Sequence, residues 1–237
     1  MLRYAVLQGL IVQFILDAIH FILDLLRHPG EFIQNAGQWA TIAMMAIIFI
    51  ETGLLFPLLP GDSLLIVAGI YSAQGMFNLP ILIAALLPMA ILGDAVSYYI
   101  GKQLGPRLFS RPKSRIFNPD HVKAAQEFYE KHGGKAIIIA RFVPIVRTYV
   151  PVVAGVAQMP YKTFGWYNVI GGVAWVVSMT CSGYFMGEAA RAAGFPLEEH
   201  IEKVIILVVG LSILPGIWEW WRSRKAKTNR TSSTDQT

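Results

Sequence analysis

Residues 51–62 read Glu-Thr-Gly-Leu-Leu-Phe-Pro-Leu-Leu-Pro-Gly-Asp. They interrupt an apolar run that begins near residue 38 and resumes over 63–72. Proline removes a helical N–H and clashes with the turn before it. Pro57, Pro60 and Gly61 therefore stop a helix at what should be membrane depth. The arm 63–72 is too short to span a bilayer at about 1.5 Å per residue. Residues 38–72 are expected to form a re-entrant helical hairpin with its tip near Pro57–Asp62. The alternative is a full span at 38–56 followed by a short half-helix.

The whole chain fits a membrane setting. Of 237 residues, 54% are hydrophobic and 15% charged, against roughly 45–50% and 25% in soluble domains. Mean hydropathy is +0.50. A disordered chain, a disulfide scaffold and an ordinary soluble enzyme are excluded. One all-α integral membrane domain is expected over residues 31–220. An amphipathic or membrane helix precedes it over 1–30, and a basic, disordered cytoplasmic tail follows at 221–237. The stretch His28-Pro29-Gly30 should end the first helix. Residues 79–101, 163–187 and 201–218 are expected to span. Asn118-Pro119-Asp120 should open a helix that runs to Lys131.

The 86-residue offset is the strongest pattern. It lays Phe56, Ala68, Gly69, Tyr98 and Gly101 on Phe142, Ala154, Gly155, Tyr184 and Gly187. Each unit reads as a proline-broken hairpin followed by a transmembrane helix, with Pro144 and Pro151 breaking the second. One span lies between the hairpins, so they should enter from opposite faces as inverted repeats. Charge sets the orientation. Eight of the 20 basic residues lie between Lys102 and Lys135 with three acids, and five more between Arg222 and Arg230. The loop 102–135 and the C-terminus should both be cytoplasmic. No nucleic-acid partner is expected.

Charges in the hairpins carry the functional argument. Glu51 and Asp62 lie in the first, Arg141 and Arg147 in the second. Each costs about 2.5–3.5 kcal/mol or more at bilayer depth. The bland reading is two structural ion pairs. The functional reading is a polar site where carboxylates take up protons and arginines hold an anion. The arginine fork binds phosphate oxygens bidentately, and the half-helix opening at Gly61-Asp62-Ser63 points free amides at an anion. Arg141 and Arg147 are the expected phosphate-binding residues. Glu51, Asp62 and Asp94 are the expected proton-coupling or gating residues. Asn168 and Gly171-Gly172 read as helix-packing positions. Tyr161, Trp166, Tyr167 and Trp218–Trp221 read as interfacial anchors. Cys181 reads as a buried inert thiol. The histidines have no metal-ligand spacing, so no metal and no cofactor are expected. No nucleophile motif appears, and Ser63 and Thr148 have no evident base, so no enzymatic activity is expected.

Several stretches resemble the DedA family of bacterial inner-membrane proteins, also called the SNARE-associated or VTT-domain family. They are Glu51 to Leu65, Gly93-Asp94, Phe128 to Lys135, Ala140-Arg-Phe-Val-Pro-Ile-Val-Arg-Thr-Tyr-Val-Pro-Val-Val-Ala-Gly155, Tyr167 to Gly171, Gly183-Tyr-Phe-Met-Gly187 and Ser212 to Gly216. The resemblance implies a carrier of lipid phosphate that recycles undecaprenyl phosphate or a similar polyprenyl phosphate under the proton-motive force. It also places the family's essential acids and arginines on Glu51, Asp62, Arg141 and Arg147. Expected partners are this lipid or another anionic phospholipid, protons and the bilayer. Assembly with further copies stays open. The alternatives are a proton-coupled small-ion or drug antiporter, a passive phospholipid scramblase, and an enzyme acting on lipid phosphates.

Overall fold

The computed structural model describes residues 28–54, 59–108 and 133–194, together with positions 13, 16, 17, 20, 24 and 25. The expected helices within 1–30 and 118–131, the span 201–218, Pro57 and the tail lie wholly or mostly outside them. All described secondary structure is helical, and three stretches are long and apolar enough to cross a membrane: Pro29–Gly53, Leu79–Gly105 and Tyr161–Ala192. The chain divides into two compact units, Met1–Ser97 with Val176–Glu202 and Tyr98–Trp175 with Lys203–Thr237.

In the first unit, helix α1 (Pro29–Ala36) opens on proline, whose missing N–H has no intrahelical partner at that position. A 3₁₀ turn (Gly37–Trp39) leads into α2 (Ala40–Gly53). The combined stretch is 25 residues long. That meets the length of a full crossing, but over 29–53 and not over the 38–56 of the alternative reading. The end of α2 is held by α4 (Leu79–Leu108): Ser97 Oγ lies 2.6 Å from the Thr52 carbonyl and 2.9 Å from that of Gly53. One hydroxyl hydrogen thereby serves two last-turn acceptors. The backbones touch there, since a Cβ on Gly53 would sit 3.2 Å from Gly93 Cα.

Helix α3 (Gly61–Ala73) starts after Pro60 and is buried on nearly every side. Asp62 in its first turn opposes the helix dipole. The helix lies on the second half of α7 (Tyr161–Ala192). Gly69 is pressed against the Thr180 carbonyl and Tyr184 N, Gly183 against the Ile66 carbonyl, and Gly187 against Ile70 and Ala73.

The second unit contains α5 (Lys135–Ala140) and α6 (Pro144–Val156), with the second half of α4 and the first half of α7. Gly101 meets the Val152 carbonyl, Gly105 meets Val156, and Gly155 meets the Tyr98 carbonyl and Lys102 N. Tyr98, Ile137, Ala154, Ala157, Met159 and Phe164 form its core. The Tyr98 ring stacks on Phe164 at 4.5 Å, and its hydroxyl donates to the Met159 carbonyl.

Three expectations need correction. Pro151 does not break the second hairpin; it lies inside α6. The break falls at Val143, whose extended backbone (φ −113°, ψ 106°) is what the residue before Pro144 requires. Cys181 is half-buried rather than buried. The third concerns register. The glycines of α4 and α7 do not correspond in place as the 86-residue offset pairs them. Gly101 sits on Val152 and Gly183 on Ile66; Gly105 sits on Val156 and Gly187 on Ile70. Gly101 thus matches Gly183, one helical turn from Gly187. The long helices themselves begin at 79 and 161, an offset of 82. The cause is local. Helix α3 continues four residues past Gly69, to Ala73, whereas α6 stops one residue past Gly155, and the connection to the next long helix is five residues after α3 and four after α6. Four residues are close to one turn, so the same helix face stays turned to its partner.

Both short helices also end alike. Met76 N donates to the Tyr71 carbonyl and Gly75 N to that of Ser72; Met159 N donates to the Ala154 carbonyl and Gln158 N to that of Gly155. These are paired Schellman closures, with Gly75 at φ 86° and Gln158 at φ 56° in the left-handed position.

Candidate functional site

Glu51, Asp62 and Asp94 lie in the first unit, with Pro60 and Gly61. Arg141 and Arg147 lie in the second, with Pro144 and Pro151. Glu51 stands in the last turn of α2 and is 2% exposed. Its carboxylate rests over the start of α3, where a Cβ on Gly61 would overlap Glu51 Oε2. The absence of a side chain at residue 61 makes room for that carboxylate at the positive end of a helix. Asp62 is partly buried in the same first turn, and Asp94 is buried in α4.

Arg141 follows the last residue of α5 and Arg147 lies one turn into α6. Both are buried, at 4% and 7% exposure. The short, interrupted helices bring this about, because the break at 141–143 turns the chain between two arginines only six residues apart. Arg141 Nη2 donates to Asn168 Oδ1 at 2.6 Å. Asn168 was expected only to ease helix packing and instead holds an arginine. Gly171 does serve packing, since a Cβ there would stand 3.2 Å from Arg141 Cδ. Trp175, 1% exposed, faces both cations: the Arg147 guanidinium lies 4.4 Å from a Trp175 ring centroid and that of Arg141 5.9 Å. Thr148 is buried beside Arg147.

Sequence reasoning missed Trp175. The available signal was the spacing Asn168, Gly171, Trp175: one polar, one absent and one aromatic side chain on a single helix face. Of the expected anchors, Trp166 is 67% and Tyr161 41% exposed, as interfacial aromatics should be, while Tyr167 packs against Gly134. The second unit therefore presents two buried arginine forks, one just past α5 and one in the first turn of α6. The first presents a buried carboxylate on a helix N-terminus. The arginines can hold an oxyanion, and the carboxylate can exchange a proton.

Comparison with known proteins agrees with a membrane assignment. The VTT domain model matches residues 59–185, more than half of the chain. Protein DedA of Escherichia coli (strain K12) is 42% identical over 218 residues, covering 89% of this chain and 97% of that protein. The uncharacterized membrane protein Rv0364 of Mycobacterium tuberculosis (strain H37Rv) is 42% identical over 194 residues, covering 80% and 82%. Inner membrane protein YqjA of Escherichia coli (strain K12) is 37% identical over 178 residues, covering 71% and 79%. No solved structure matches. With helical structure throughout the described residues and three stretches of membrane-crossing length among them, these matches show that the chain belongs to the VTT-domain (DedA) family of multipass membrane proteins.

Proposed function

We propose that this protein carries a polyprenyl monophosphate of the undecaprenyl phosphate kind across the inner membrane, driven by the proton-motive force, and recycles it for envelope synthesis. One observation carries this reading: Arg141 and Arg147 are both buried against the same indole, on half-helices of an apolar membrane chain. Two buried guanidiniums suit a phosphate headgroup, while a prenyl tail can stay in lipid. Glu51, Asp62 and Asp94 would carry protons or gate the arginines. The lipid's identity rests on the family resemblance.

The two units would be inverted repeats whose hairpins expose the site to alternate faces, with the loop 102–135 and the C-terminus cytoplasmic. Support comes from their parts. Each unit combines a broken helix pair, the first half of one long helix and the second half of the other. Each short helix is seated on two glycines four residues apart and ends in the same Schellman closure.

The test is translocation of a fluorescent polyprenyl phosphate in proteoliposomes, with and without a pH gradient. Movement above empty liposomes that responds to the gradient is expected. Movement without a gradient effect would replace this reading with a passive scramblase. No movement by folded protein would remove the lipid-carrier reading and favour a small-ion antiporter.

A second expectation concerns Gly61. A methyl group there collides with the Glu51 carboxylate, the movable end of a side chain. Gly61→Ala should therefore displace Glu51 and leave the fold in place. The gradient-dependent part of transport should fall to the level of Glu51→Gln, with Tm within about 3 °C of wild type, the shift of about 1 kcal/mol in a chain of this size. Full gradient response in Gly61→Ala would detach Glu51's position from coupling.

A further inference from the structure

Asn168, Gly171 and Trp175 stand at i, i+3 and i+7 of α7 and line one face of that helix. Each meets an arginine. Asn168 Oδ1 accepts from Arg141 Nη2 at 2.6 Å, Gly171 leaves space for Arg141 Cδ, and Trp175 lies under both guanidiniums, at 4.4 Å from Arg147 and 5.9 Å from Arg141. We propose that this stripe is a preset holder for the two forks, with Trp175 as the positioning residue they share, and that it keeps them aligned for a phosphomonoester; the ligand class rests on the lipid-phosphate reading above.

The chemistry favours an indole in this place. Two like charges buried together repel each other. An aromatic ring attracts a cation through its face. A guanidinium set against a ring can still use its in-plane N–H groups to bond oxygens. Asn168 takes one Arg141 donor with a neutral oxygen, which fixes the plane of that fork without neutralising its charge. The three α7 positions thus divide the work: one orients, one makes room and one steadies both charges.

The test uses the full-length protein in detergent and phenylglyoxal, which labels guanidinium groups. Labelling rates at Arg147 are read by mass spectrometry against Arg191, which lies in the other unit. Trp175→Leu should speed Arg147 labelling about tenfold, the scale of a desolvated cation–π contact, and Trp175→Phe should stay within about twofold of wild type. Binding is followed in parallel with farnesyl monophosphate, and with farnesol as the neutral control. The half-saturating concentration of farnesyl monophosphate should rise about tenfold in Trp175→Leu and recover in Trp175→Phe. If Trp175→Leu does not elute as a folded species, Trp175→Met fills the space without a π face and takes its place. Arg147 labelling unchanged by loss of the ring overturns the positioning role, whatever binds. Wild-type protein that does not distinguish farnesyl monophosphate from farnesol overturns the lipid-phosphate reading instead, and the holder role is then decided by the labelling.

Discussion

Gly155→Ala is expected to destabilise the protein by about 3 kcal/mol, the upper part of the usual range for overpacking, and Gly155→Val to leave no folded protein after detergent extraction. A Cβ at residue 155 would overlap the Tyr98 carbonyl oxygen and stand 2.8 Å from Lys102 N. These are backbone atoms of a long helix and cannot rotate away. Only displacement of α6 from α4 relieves the overlap, and that opens the core around Tyr98, Ala154 and Phe164. In a bilayer such a loss is not offset by solvent, because helix association there depends on close van der Waals packing between small residues. The measurement is thermal unfolding followed by size-exclusion of heated aliquots. A loss of about 3 kcal/mol corresponds to a Tm lower by roughly 6–12 °C for a chain of this length. Gly165→Ala supplies the contrast. The nearest atom to a Cβ there is Tyr161 Cε1 at 3.9 Å, so nothing needs to move. Alanine also suits a helix interior better than glycine by about 1 kcal/mol. The same chemical change should therefore lower stability at residue 155 and leave it equal or higher at residue 165. Equal effects at both sites would mean that the α4–α6 seam is not close-packed.

Tight glycine seams explain why the sequence shows a repeat at all. Each position where two helix backbones touch excludes every other residue type, so Gly69, Gly101, Gly155, Gly183 and Gly187 stay visible in an apolar background. The same cause limits what the pattern can say. Glycines four apart on a helix present the same face from either of two neighbouring turns. The match of Gly101 to Gly187 therefore looks as good in sequence as the match to Gly183 that the contacts make. The lengths of α3 and α6 beyond their own glycines and of the connections that follow decide between them, and the helix lengths depend on where each Schellman closure falls. Gln158 hides one closure, because a left-handed position occupied by glutamine carries no glycine signal.

The buried charges were legible for a related reason. Arginine and glutamate in apolar runs are costly, so Glu51, Arg141 and Arg147 announce themselves. What surrounds them was not legible. Trp175 is an apolar residue in an apolar helix, and its contact with Arg147 spans 28 residues of sequence and depends on how α7 is rotated. Asn168 could have been read as an arginine partner, but only if the facing element were already known. Prolines mislead in the same way: Pro144 and Pro151 look equivalent in sequence. The first sits at the start of α6, where its missing N–H has no consequence, and the second within it.

Arg147→Lys should reduce polyprenyl phosphate translocation by about 10- to 100-fold, the loss of one or two charge-assisted hydrogen bonds worth about 1.5–3 kcal/mol in all. The substitution keeps a positive charge but removes three things. Lysine has no planar fork to match two phosphate oxygens. Its ammonium has a strongly held hydration shell that must be removed at a site only 7% exposed. It also lacks the flat face that lies 4.4 Å from the Trp175 ring centroid. Burial further favours a neutral amine in lysine, whereas arginine stays charged at any working pH. The readout is the initial translocation rate in proteoliposomes, alongside Tm to confirm an intact fold. Arg191→Lys is the matched control. Its guanidinium meets Glu188 at 2.7 Å as an i,i+3 pair with 65% and 34% of the two side chains exposed. Such a pair is worth about 0–1 kcal/mol, so transport should be unaffected. Retention of more than half of the wild-type rate in Arg147→Lys would show that the site needs only positive charge, and would turn the reading from bidentate phosphate capture to simple electrostatic attraction. A full loss in Arg147→Lys with Arg191→Lys unchanged would locate phosphate recognition in the fork of Arg147 itself.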